Sequence, residues 1–168
     1  EFAEMETQAR EIASWGQNVY VKIPVTNTRA EFAGPLVRRL TAAGVQVNVT
    51  ALLTKPQVEA VLRCLSPDTN SFISVFAGRV ADTGRDPVPL MAEAVRLLKA
   101  NSRAQLIWAS PREVLNIIHA ALVGCHVITV TSDLLAKLPL IGKDLDEYSL
   151  ETVKMFYQDA RSAGFRLS

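Results

Sequence analysis

The sequence predicts an α/β fold built on a parallel sheet, and three observations carry the prediction. Short β-branched runs alternate with longer segments of helical period along the whole chain. Each of five strand-like runs is followed by a helical one, as βα units require. The unit recurs about every 20 to 35 residues, the spacing of a barrel or a doubly wound sheet rather than a solenoid.

The elements follow in order. Phe2 to Trp15 reads as an amphipathic helix, and Val19–Pro24 as the first strand. A helix from Arg29 to Ala43 stops at Gly44, a C-terminal cap. Val45–Leu53 is the second strand, followed by a helix from Pro56 to Leu65. Ser71–Ala77 is the third strand, and a loop with Gly78, Gly84 and Pro87 leads to a helix over Val88–Ala100. Gln105–Ala109, a helix over Pro111–Val123 and the strand Val127–Val130 come next. A short helix near Asp133–Leu138 precedes a polar break and a helical tail from Ser149 to Ala163. No Gly/Ser linker or shift of composition marks a second domain, so the expectation is one domain over 1–168.

Composition narrows the function classes. At 168 residues, 49% hydrophobic and 21% charged, the chain can bury a sizeable core. A formal net charge of +1 with no block of like charges argues against nucleic acid or a membrane surface as partner. No stretch reaches the roughly 20 apolar residues of a membrane span. Cys64 and Cys125 form no metal-type or redox pair and read as inert core thiols in a reducing, cytoplasmic setting. The start, Glu1-Phe2-Ala3-Glu4, lacks the order of a signal peptide.

One charge stands out. Lys22 lies within Val-Tyr-Val-Lys-Ile-Pro (19–24), a run that reads as a fully buried strand. Burial disfavours an ammonium, and a neutral amine attacks carbonyls, the requirement of Schiff-base chemistry. A lysine at a strand end with its head in water is the bland alternative. Because strand residues two apart share a face, Lys22 goes with Tyr20 and Pro24, Asn48 with Thr50, Ser74 with Phe76, Trp108 with Ser110, and Thr129 with Thr131. Arg79 and Arg112 follow just beyond the third and fourth strands. In parallel α/β folds the site gathers at the carboxyl ends of the strands, where these residues map.

Ser110-Pro111-Arg112 stands at an expected helix start, where free N–H groups favour an anion, and Ser110 reads equally well as an N-cap. Arg79 could add a second guanidinium for phosphate oxygens, or pair with Asp82 or Asp86. His119 and His126 have no partner at metal-ligand spacing and read as structural; no metal site is expected. No glycine-rich phosphate loop or dinucleotide fingerprint is present.

These residues resemble a family. Val21–Thr26, Val-Lys-Ile-Pro-Val-Thr, is similar to the Schiff-base lysine motif of the transaldolase family. Asn48-Val49-Thr50 resembles its Asn-x-Thr, and Ser74-Val75-Phe76-Ala77-Gly78-Arg79 its Ser-Pro-Phe-Val-Gly-Arg. Ala109-Ser110-Pro111-Arg112 resembles its Ala-Ser-Phe-Arg, and Ala121–Thr129 its Ala-Gly-Cys-Asp-x-x-Thr segment. The likeness runs in order along essentially the whole chain. It implies a class I Schiff-base enzyme of the transaldolase and fructose-6-phosphate aldolase group on a (β/α)8 TIM barrel, without cofactor. Lys22 would form the imine, Thr50 would hold the water used in proton transfer, and Asn48 and Ser74 would bind substrate hydroxyls. Arg79, Ser110 and Arg112 would take the phosphate of a sugar phosphate.

The sequence departs from the family in places. The resemblance sets the chain's start near the end of the family's third strand, so the family's aspartate on the first strand and glutamate on the third have no counterpart here, and Glu1 and Glu4 do not inherit those roles. Five strands cannot close an eight-strand barrel, so the expectation is an N-terminal portion of roughly 60 residues outside this sequence, or strands supplied by another chain. Thr28-Arg29 replaces an acidic residue and glycine, and Val75 replaces proline. Phe76 stands where the aldolase branch resembles tyrosine; having no proton to transfer, it leans toward transaldolase. The alternatives are an aldolase or a non-catalytic sugar-phosphate binder. The tail carries Leu150, Val153, Met155, Phe156 and Tyr157, an apolar surface that either packs on its own barrel or, as the resemblance implies, joins a homo-oligomeric ring.

Overall fold

The computed structural model describes residues 1–164. They divide into two compact units, Glu1–Thr131 and the segment from Ser132 onward.

The first unit is a five-stranded parallel sheet wrapped by helices. Its elements are α1 (Phe2–Ala13), β1 (Val21–Pro24), α2 (Gly34–Ala42), β2 (Val47–Leu52), α3 (Lys55–Leu62), β3 (Ser71–Val75), α4 (Ala77–Ala81), α5 (Val88–Leu98), β4 (Ala104–Trp108), α6 (Leu115–Leu122) and β5 (Val127–Ile128). The strands lie in chain order, β1-β2-β3-β4-β5, all parallel. A doubly wound sheet reverses its order at a switch point; this one does not. One face carries Val21, Ile23, Val47, Val49, Ile73 and Leu106, each at most 3% exposed. Against it lie Leu36, Val37 and Leu40 of α2, Val58 and Val61 of α3, Met91 and Leu98 of α5, and Ala120 of α6. Helices on one face of a sheet wound in a single direction make an arc of a (β/α) barrel, and within the described residues the barrel is not closed.

Local chemistry explains the element ends. Gly44, at φ +79, terminates α2 as expected, with Val45 N–H bonded to Leu40 O. The helix begins at Gly34 rather than at Arg29, because Asn27 Oδ1 accepts the N–H groups of Arg29 and Glu31 and folds 27–31 into a turn. A bridge between Thr26 and Phe32 closes that turn. Thr54 and Gln57 form a reciprocal capping box that starts α3. Segment 77–81, expected as the strand's last residue and the start of a loop, is the short helix α4.

The second unit holds α7 (Ser132–Leu135), a 3-10 turn (Leu138–Leu140) and α8 (Leu145–Ser162). Asp144 caps α8 by accepting the N–H groups of Asp146 and Glu147, which moves the helix start ahead of the expected Ser149. None of its residues is buried; Leu150, Val153, Met155, Phe156 and Tyr157 are all exposed. No helix among the described residues is long and apolar enough to cross a membrane.

Candidate active site

The sheet face away from the helices carries the polar residues. Lys22, Asn48, Phe72 and Gln105 are register partners across β1 to β4 and form one row. Tyr20, two residues before Lys22, lies against Phe72 with ring centroids 4.6 Å apart. One step toward the carboxyl ends come Pro24, its partner Thr50, and Ser74. Ser74 Oγ donates to Asn48 Oδ1 at 2.7 Å, joining two expected site residues directly. Ser74 is buried and Asn48 half-buried.

Lys22 differs from the expectation. Its neighbours Val21 and Ile23 are buried, yet Lys22 itself, on the face away from the helices, is exposed. Its alternation was legible; its burial was not.

A bulge lies beside Thr50. Val49 pairs with Ile73 and Leu52 with Val75, so β2 carries one residue more than β3, and Ala51 takes up the difference at φ +66. The extra residue turns Leu52 onto the helix-covered face, where it is fully buried. Thr50 is left 8% exposed, with its Oγ1 unpaired among the described residues. An enclosed hydroxyl without a protein partner is a place for an ordered water or a substrate oxygen.

Two loops meet at the carboxyl edge. After β3 the chain turns at Phe76, whose N–H bonds Leu52 O, into α4. Arg79 of α4 lies over the Phe76 ring, 5.5 Å from its centroid. After β4, Ser110 sits at φ +57, a left-handed conformation uncommon for a residue other than glycine. Trp108 keeps the strand alternation: with Leu106 it lies on the helix-covered face, fully buried and 6.3 Å from His119, and does not share the polar face. Nor is Ser110 a helix cap, since α6 begins only at Leu115 behind Val114. The buried Asn116 does that work instead, its Oδ1 accepting the N–H of Arg112 at 2.7 Å and of Glu113 at 3.3 Å.

The loops are fastened together. Gly78 N–H donates to Ala109 O at 3.3 Å, and a Cβ on Gly78 would fall 1.4 Å from Ser110 O. Asp82, expected beside Arg79, pairs with Arg112: Oδ1 accepts from Nε at 3.0 Å and Oδ2 from Nη2 at 2.5 Å. Asp86 accepts the N–H of Val88 at the start of α5. The structure therefore brings Phe76, Arg79, Ser110 and Arg112 to one edge, next to the face that holds Lys22, Asn48, Thr50 and Ser74. Sequence reading missed Gly78, Asp82 and Asn116 as members of this edge. An amide at position 116, in a helix whose one other polar side chain is His119, was the available signal.

His126 and Cys125 bind backbone groups. His126 Nδ1 accepts the N–H of Leu106, and Cys125 Sγ donates to the carbonyls of Leu106 and Val127 at 3.4 Å. Burial pushes the Cys125 thiol up from its ordinary value, opposed by backbone hydrogen bonds, so it is a poor nucleophile. Thr129 and Thr131 are exposed beyond β5. Among the described residues no cluster of His, Cys, Asp or Glu could hold a metal.

A singly wound parallel sheet with its polar groups gathered at the carboxyl edge is the construction of a (β/α)-barrel enzyme. Residues 1–167 match the Transaldolase/Fructose-6-phosphate aldolase family model, and the chain belongs to that family. It is 32% identical over 149 residues to a protein named "Probable transaldolase" from Streptococcus agalactiae serotype V, covering 86% of this chain and 66% of that one. A "Probable transaldolase" of Dehalococcoides mccartyi is 36% identical over 137 residues, covering 81% of this chain and 60% of that protein. One from Herpetosiphon aurantiacus is 30% identical over 152 residues, covering 88% and 65%. The chain thus spans under two thirds of the length of each of these relatives.

Proposed function

We propose that this chain carries the imine-forming side of a transaldolase-like reaction, moving a dihydroxyacetone unit between sugar phosphates. The Lys22 amine adds to the ketose carbonyl to give a carbinolamine, which loses water to become an imine. The imine accepts the electron pair released when the neighbouring C–C bond breaks; an aldehyde leaves, a second aldose takes the retained unit, and water hydrolyses the new imine to release the ketose and restore the amine. Asn48 and Ser74 hold substrate hydroxyls, and Thr50 holds the water that relays protons. Arg79, Ser110 and Arg112 bind the phosphate.

The observation that carries this reading is the Lys22–Asn48–Ser74 constellation. Lys22 and Asn48 are register partners on one face, and Asn48 is bonded to Ser74 at 2.7 Å. Phe76 has no proton to give, which favours transfer over the aldolase reaction. The exposure of Lys22 favours a second reading, a sugar-phosphate binder that does not turn over, because among the described residues the amine is left in solvent. Borohydride reduction in the presence of fructose 6-phosphate, followed by peptide mass analysis, separates them. An adduct on Lys22 with turnover supports the transferase, and sugar-phosphate binding without an adduct the binder. No adduct on Lys22 refutes the imine. The exposed apolar residues of α8 support assembly into a homo-oligomer; a monomeric mass in light scattering would count against it.

A further inference from the structure

We propose that Asp82 is a positioning residue for Arg112, holding its guanidinium so that one edge stays free for an anion; this rests on the phosphate reading of Arg112. Asp82 takes the side edge of the fork, through Nε and Nη2. Of the five N–H donors of an arginine, that leaves both on Nη1 and one on Nη2, the end edge, which can meet two phosphate oxygens at once.

The pair is not an ordinary surface ion pair. The two side chains are 48% and 49% exposed, and at that exposure a salt bridge adds little stability. Both ends are nevertheless anchored. The Asp82 N–H donates to Gly78 O at 2.9 Å, and the Arg112 N–H to the buried Asn116. Between these anchors the Gly78 and Ser110 backbones touch with no room for a Cβ. The bidentate pair therefore closes a junction whose backbone is already fixed, and its effect falls on the direction of the Arg112 fork. Arg79, three residues before Asp82 on the same short helix, is carried to the same edge.

The test is titration of the full chain with inorganic phosphate, followed by calorimetry or 31P NMR. Ordering one long side chain costs about 1 kcal/mol, so Asp82→Ala and Asp82→Asn should each weaken phosphate binding about fivefold. Asp82→Asn keeps the side chain's size and carries the test if the alanine variant does not fold. Asp82→Glu, which retains the carboxylate, should bind more tightly than Asp82→Asn. The double variant Asp82→Ala/Arg112→Ala should bind no more weakly than Arg112→Ala alone. The urea midpoint of Asp82→Asn should stay at the parent value, which separates positioning from folding. Phosphate binding that is unchanged or tighter in Asp82→Asn overturns the proposal while leaving the phosphate site standing. Binding unaffected by Arg112→Ala overturns the phosphate site, and the proposal with it.

Discussion

Gly78→Ala tests the junction between the two loops most directly. The added Cβ would lie 1.4 Å from Ser110 O and 2.6 Å from Ser110 C, both backbone atoms that no side-chain rotation can clear. Reaching ordinary contact at 3.4 Å means shifting one loop by about 2 Å. Overpacking of this kind costs about 1–3 kcal/mol, and losing the Gly78–Ala109 hydrogen bond adds about 1 kcal/mol. The expected loss is therefore about 3 kcal/mol, a fall in Tm of about 6–12 °C for a chain of this size. Gly84→Ala is the control. Gly84 has φ +76 and nothing within 4 Å of a built Cβ, so only the left-handed backbone is penalised, at about 1 kcal/mol. Urea unfolding of both variants beside the parent gives the comparison. A Gly78→Ala midpoint at or above that of Gly84→Ala would refute the close approach, and with it the fixed geometry of the Arg112 edge.

Other outcomes follow from single contacts. Asn116→Leu leaves the N–H groups of Arg112 and Glu113 without their acceptor and should cost about 1–3 kcal/mol in urea unfolding. Lys22→Met should abolish borohydride trapping with fructose 6-phosphate and leave the far-UV circular dichroism unchanged. Glu93 is held down to about 2 by hydrogen bonds from Arg96 and Lys55, and a depressed carboxyl stabilises the fold above its ordinary 4.5. That contribution should fade as pH falls from 4.5 toward about 2, and Glu93→Gln should flatten the stability profile across that window. Iodoacetamide should label Cys125 slowly in the folded protein and fast in urea, because burial raises its thiol.

The parallel sheet was legible because strand alternation is local: Val21, Ile23, Val47 and Val49 announce one buried face whatever surrounds them. Element ends were less so. A helix pattern reaches back to Arg29, but a side-chain acceptor at Asn27 wins the backbone N–H groups first. The β2 bulge has no sequence mark, since Ala51 carries a positive φ without glycine or asparagine to signal it. It was the pairing with β3, a long-range property, that placed the extra residue. Trp108 and Ser110 were assigned to one polar face, but Trp108 keeps step with Leu106 on the helix-covered face, and Ser110 lies in a turn beyond the strand end.

Lys22 shows where local reasoning stops at the site. Alternation identified its face, but burial needs two layers, and only the helix-side layer is written into this strand's neighbours. The row Lys22–Asn48–Phe72–Gln105 is open to solvent at both outer members, whereas Ser74 and Thr50, one step up, are enclosed. The enclosed groups here are the hydroxyls, while the amine is exposed. A cover over that face would enclose the Lys22 amine as well. Trapping yield should then rise with whatever closes it, while the phosphate affinity set by Arg112 and Asp82 should not change. A trapping yield and a phosphate affinity that move together would show that the two parts of the site are not independent.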